Sequence, residues 1–253
     1  MTATATARVP GNATLATARR VLAQLRHDPR TIALMLLVPC VLLTLLYWLY
    51  DGRPAQFDRI GGPLLGIFPF VVMFLVTSVA TLRERSTGTL ERLLTMPIGK
   101  TQLIGGYAIA FGLVAVLQAG IATGLAIGLL GLDVAGPTWL ILFVAVLDAL
   151  LGLALGLLVS AFANTEFQAV QFLPAVILPQ FLLCGLFVPR DQMQPVLEAV
   201  SDVLPLSYAV DAMMRLSTEA DITGILLRDI VVIAGCVVAA LALGALTLRR
   251  RTP

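Results

Sequence analysis

Six stretches of roughly 20 apolar residues, the length a helix needs to cross the hydrocarbon core of a bilayer, dominate this sequence. They are Ile32–Tyr50, Pro63–Leu82, Leu103–Leu130, Trp139–Phe162, Phe167–Val188 and Ile225–Leu248. A backbone inside lipid has no water to bond, so each stretch is read as a helix. No segment alternates apolar and polar residues over about ten positions, as the strands of an outer-membrane barrel do. A long N-terminal stretch precedes the first run and five more runs follow it, so it is read as a retained span and not as a cleaved signal. Composition agrees. Hydrophobic residues make up 58% and charged residues 13%, half of the ~25% charge of a soluble domain. Such a chain cannot cover a water-facing surface, which excludes an ordinary soluble enzyme and a disordered chain. The net charge of +2 is too small to imply a polyanionic partner, so no nucleic acid is expected.

Arg and Lys set the expected orientation. With the N-terminus inside, the inner segments hold twelve of the 17 basic residues, including Arg83, Arg85, Arg92 and Lys100. Six spans then place both termini in the cytoplasm of a cell (plasma or inner) membrane. Residues 1–30 form a Thr/Ala-rich tail and a short helix. Leu15, Ala18, Leu22 and Leu25 share one face of that helix, as in a helix lying in the membrane interface, and Asp28-Pro29 ends it. Residues 31–253 are read as one six-span domain. The external loop Asp51–Gly62 is short, whereas the segment from Pro189 to about Gly224 is long and partly apolar. Pro195 and Pro205 can each open a helix there, one that dips back into the outer leaflet or caps the spans.

Catalytic chemistry is hard to find. His27 is the single histidine, and no GxSxG or HExxH occurs. The three cysteines, Cys40, Cys184 and Cys236, sit far apart in apolar runs, which suits small core or lipid-facing residues. Gly99-Lys100-Thr101 resembles the end of a Walker A loop. Leu94 stands where that motif needs glycine, and a span follows instead of a soluble helix. The chain is therefore expected to be no enzyme, and to carry no cofactor or metal of its own. Any ATP and Mg would belong to a partner subunit.

Polar residues inside the apolar runs are the functional candidates. Asp148 lies in the middle of the fourth run. A contact to cargo, a proton carrier, a partner for a basic group and a carboxyl hydrogen-bonded in the bundle all remain open for it. The fifth run carries Gln168, Gln171, Pro174, Pro179 and Gln180, a pattern for a kinked, polar-lined helix on a translocation path or for a static bend. Gly120, Gly124 and Gly128, and likewise Gly152 and Gly156, repeat every four residues, which predicts close helix contacts, within the chain or between protomers.

The loop after the second run reads Arg83-Glu-Arg-Ser-Thr-Gly-Thr-Leu-Glu-Arg-Leu, followed by Met96-Pro-Ile. Thr89 can cap a helix that starts at Leu90, with Glu91 in its first turn and Pro97 at its end. A helix this short is unstable alone and needs a surface to dock on. This segment resembles the coupling helix of ABC-2 type transporter permeases. Leu186-Phe-Val-Pro-Arg-Asp-Gln-Met-Gln-Pro and Leu204-Pro-Leu-Ser-Tyr-Ala-Val-Asp-Ala-Met-Met-Arg resemble the same family's segment between spans five and six. The resemblance implies an all-α membrane permease of six transmembrane helices. It implies an N-terminal amphipathic interface helix, a cytoplasmic coupling helix and short external re-entrant helices before the last span. It also implies a dimer, homo- or heteromeric, working with two ATP-binding cassette ATPase subunits and surrounded by membrane lipids. The cassette-coupling residues carried over are Glu84, Gly88, Thr89, Leu90, Glu91, Arg92 and Leu93. The short external loops resemble the compact, daunorubicin-type drug-resistance permeases. Compact polysaccharide exporters share that layout, but aromatic residues are only 7% of this chain and form no ladder. The expected activity is therefore export of hydrophobic drugs or lipids. A lipid-linked glycan exporter and a proton-coupled carrier using Asp148 are the alternatives.

Overall fold

Proline and short polar side chains punctuate the structure. A computed structural model describes residues 13–87 and 99–247. Helix α1 covers Ala13–Arg26 and α2 covers Pro29–Leu49. Between them, Asp28 accepts from the Thr31 amide at 3.2 Å and the Thr31 hydroxyl at 2.7 Å. These bonds cap α2 and hold the Asp28 carboxyl below its usual range. Helix α3 spans Pro54–Ser86, α4 Lys100–Gly128 and α5 Thr138–Val159. Span five, α6, runs Glu166–Leu183. Two external helices follow, α7 (Pro195–Val203) and α8 (Pro205–Thr218), then α9 (Gly224–Thr247). Pro29, Pro54, Pro195 and Pro205 each stand in the first turn of a helix, where a missing N–H costs nothing and a fixed φ helps.

Six of these helices are long and apolar enough to cross a membrane: α2, α3, α4, α5, α6 and α9. The protein is an all-α, multi-pass membrane protein. Successive spans reverse direction, so Pro29, Ser86, Lys100, Val159, Glu166 and Thr247 gather at one end, called here the near end. The far end holds the turns after α2 and α4, with α7 and α8. An Arg83–Glu166 ion pair ties the near end, and the Asp133 amide, donating to Asp58 Oδ1 at 3.0 Å, ties the far end.

The core is the α3–α5 pair, the most extensive contact in the bundle. Gly152 and Gly156 make it possible. A Cβ on Gly152 would fall on the carbonyl oxygen of Phe70, and one on Gly156 on the Thr77 hydroxyl. Phe70, Phe74 and Leu151 are fully buried beside this contact. Leu34, Leu37 and Val41 of α2 and Val231 and Val238 of α9 are exposed, as lipid-facing residues are.

An interior proline shows how the spans complete their hydrogen bonding. Pro39, within α2, has no N–H for the carbonyl of Met35. Gln118 of α4, itself 1% exposed, donates its amide to that carbonyl at 2.8 Å. Gln118→Leu is expected to cost about 1–2 kcal/mol, read as a lower melting temperature in detergent. Adding Pro39→Ala, which restores the N–H, should recover most of the loss. No recovery would break the argument.

One expectation needs correction. The second span begins at Pro54, not Pro63, so much of the Asp51–Gly62 loop is helix. An N-terminal proline and an interior one look alike in sequence, and Pro63 and Pro69 both lie inside α3. Of the two contacts open to the Gly120, Gly124 and Gly128 ridge, the one within the described chain is not made, because a Cβ on any of them would meet nothing within 4 Å.

Candidate functional site

The near end is built around a carboxylate. Glu84, in the last turn of α3, receives both arms of the Arg20 guanidinium, Nη1 to Oε1 at 2.9 Å and Nη2 to Oε2 at 3.0 Å. The Tyr107 hydroxyl of α4 also donates to Glu84 Oε2. Arg20 lies 5.9 Å from the centre of the Tyr107 ring, within cation–π range. Burial works against the Arg20 guanidinium, yet Glu84 outweighs it and holds the group above its ordinary pKa. Helix α1 comes this close because Gly106 leaves room: a Cβ there would run into Thr17. Arg83 forks onto Glu166 at 3.0 and 3.1 Å. Arg85 reaches the Ser160 carbonyl at 3.4 Å, at the C-terminus of α5 where the helix dipole favours a cation. Of the predicted coupling residues, Glu84 is described and is turned into the chain. Gly88, Thr89, Leu90, Glu91, Arg92 and Leu93 lie outside the described residues.

Within the bundle, Asp148 is 1% exposed, and neither carboxyl oxygen has a hydrogen-bond partner among the described residues. Gly66 of α3 makes room for it, since a Cβ there would lie 3.0 Å from Asp148 Oδ2 and 3.5 Å from Met213 of α8. A buried carboxyl without a donor is costly, and both oxygens of Asp148 are in that position among the described residues. The glutamines do not join it. Gln168 sits at the near end, accepting from the Asn164 amide at 2.8 Å. Gln171 is exposed. Gln180 is buried and donates to the Val176 carbonyl at 3.0 Å. Span five departs from a regular α-helix at Leu173–Ile177, a wider π-type stretch that includes Pro174. Such a bulge absorbs the missing proline donor. Gly185, at φ +94°, then turns the chain at the far end.

A second polar cluster closes the far end, and sequence inspection missed it. Arg190 pairs with Asp202 of α7 and, at 3.4 Å, with Asp211 of α8. The guanidinium groups of Arg190 and of Arg228 of α9 lie 5.1 and 5.8 Å from the centre of the Tyr208 ring. The Tyr208 hydroxyl donates to the Asp202 carbonyl at 2.7 Å, and Arg228 forks onto its buried neighbour Asp229. Ser201 donates to the Leu183 carbonyl at 2.7 Å and meets Ser207 at 3.0 Å. Arg190, Ser207, Tyr208 and Asp211 fall within the two far-end motifs quoted from the sequence, whereas Ser201, Asp202, Arg228 and Asp229 lie outside them, and nothing in the spacing announces the pairing.

Residues 12–216 match the family model described as ABC-2 type transporter. The chain belongs to the ABC-2 type transporter family. The match runs from the start of α1 into α8 and takes in both motifs. Among ABC-2 relatives, the chain is 28% identical over 206 residues to the probable multidrug ABC transporter permease YbhS of Escherichia coli, covering 81% of this chain and 54% of that protein. To the probable multidrug ABC transporter permease YbhR of the same organism it is 30% identical over 148 residues, 58% of this chain and 40% of that one. To the linearmycin resistance permease protein LnrN of Bacillus subtilis it is 25% identical over 171 residues, 67% of this chain and 43% of that one. The chain thus spans about half the length of the curated relatives it matches. Among the described residues no group of His, Cys, Asp and Glu is arranged to hold a metal ion.

Proposed function

We propose that this chain is the permease subunit of an ATP-driven exporter, moving hydrophobic drugs or lipids outwards, with ATP hydrolysed on separate cassette subunits. The observation that carries the reading is the unfinished face of span five. Helix α6 is little buried, yet it exposes Gln168 and Gln171 with Pro174 and Pro179. Amides set against lipid are unfavourable, so this face needs a second protomer, and the path for cargo runs between the two. The names of the relatives, multidrug and linearmycin resistance permeases, support a drug-like cargo and the compact drug-resistance subgroup over a lipid-linked glycan. The near end, rich in Arg, is cytoplasmic by the excess of positive charge. Helix α1 lies in the inner interface, and segment 83–93 docks on the cassette. The depth of α8 supports a re-entrant external segment, because Met213 reaches Gly66, about 18 Å down α3 from Pro54 at 1.5 Å per residue.

Glu91→Ala with Arg92→Ala tests the coupling. The expected outcome is a folded permease that either loses its ATPase on purification or lets hydrolysis proceed without transport. Unchanged assembly and transport would remove the coupling role. A second reading, a proton-coupled carrier, is favoured by the unpartnered Asp148. Asp148→Asn should abolish transport in that case, and should leave ATP-driven transport running in the first.

A further inference from the structure

We infer that Arg20 and Tyr107 are positioning residues for the 88–98 segment, fastening both of its legs to α1 through Glu84. The proposal deepens the coupling reading and rests on it. The segment leaves α3 after Thr87 and returns into α4 at Lys100. Glu84 stands on the outgoing leg and Tyr107 on the returning one, and their side chains are hydrogen-bonded to each other. Arg20 holds both at once, Glu84 by its two arms and the Tyr107 hydroxyl at 3.2 Å. These partners are 64 and 87 residues away in sequence, so the node exists only in the folded chain.

The geometry also changes what Glu84 does. Both of its oxygens are taken by groups of its own chain, and its side chain is only 14% exposed. A carboxylate occupied in this way has little left to offer an ATPase surface. A forked guanidinium–carboxylate pair fixes orientation as well as distance, and Tyr107, 1% exposed, cannot swing. Thr17 packed on Gly106 prevents α1 from sliding along α4. A push on the segment therefore reaches α1, α3 and α4 as one body. Without the node it would reach α3 and α4 separately.

The test uses the permease with its ATPase in proteoliposomes, and the permease alone in nanodiscs. Arg20→Glu and Glu84→Arg should each keep the ATPase bound but lower the cargo moved per ATP by roughly ten-fold. The double variant Arg20→Glu/Glu84→Arg should recover most of that ratio. In nanodiscs, hydrogen exchange in 14–26 and 99–104 should rise about ten-fold in each single variant and return in the double one. Arg20→Lys and Tyr107→Phe, which keep charge and ring, should give smaller changes of the same kind and serve if the reversals do not fold. Loss of ATPase binding in Glu84→Arg with no rescue in the double variant would instead make Glu84 a direct cassette contact. An unchanged coupling ratio and unchanged exchange would also overturn the proposal. If the wild type binds no ATPase, the coupling reading fails, while the exchange measurement still decides whether the node clamps the segment.

Discussion

Gly152→Ala should be among the most damaging single-methyl changes in this protein, costing about 3 kcal/mol or preventing accumulation altogether. The added carbon would occupy the space of the Phe70 carbonyl. Backbone cannot move aside as a flexible side chain can, so α3 and α5 would have to separate along their whole contact. Gly156→Ala should be nearly as harmful, because it strikes Thr77 and the Phe74 carbonyl. Gly120→Ala provides the control: it shares the four-residue spacing but has open space around it, and alanine favours helix by up to about 1 kcal/mol. Thermal unfolding in detergent, followed through labelling of the buried Cys184 thiol, should therefore separate the two glycine ridges. Equal melting temperatures for all three variants would refute the packing assignment.

Arg190→Ala should release α7 from the far end. Ser201 is the buried residue of this helix, and Val196 and Val203 are largely exposed. Attachment therefore depends on the polar clasp more than on apolar packing. Removing the guanidinium leaves Asp202 and Asp211 without their cation and Tyr208 without one of its two stacking partners. Asp202 is more than half exposed, so solvent screening reduces the loss to about 2 kcal/mol. Hydrogen exchange of 195–203 should accelerate about thirty-fold, with α9 unaffected. Arg190→Lys, which keeps the charge but not the fork, should fall between. Unaltered protection of α7 would show that the clasp does not hold it.

How far sequence reaches is clear from particular residues. The six spans were legible because a long apolar run has only one way to satisfy its backbone in lipid. The start of the second span was not, because Pro54 at a helix start and Pro63 within it carry the same local signal. Asp148 was legible as a buried carboxyl, but its lack of a donor depends on what α3 and α8 bring to it. Glu84 was found through its motif, whereas Arg20 and Tyr107 were not, since no spacing rule joins residues on three separate helices. The far-end clasp was invisible for the same reason.

Sequence by itself determined the number of spans and their helical form. Each of these follows from hydrogen bonds closed within a few residues and from the absence of water in the hydrocarbon core. Tertiary structure decided which of the two glycine ridges packs within the chain, which carbonyl Gln118 serves and which cation holds Glu84. Those choices depend on residues tens of positions apart meeting at ångström precision, and only the packed bundle brings them together.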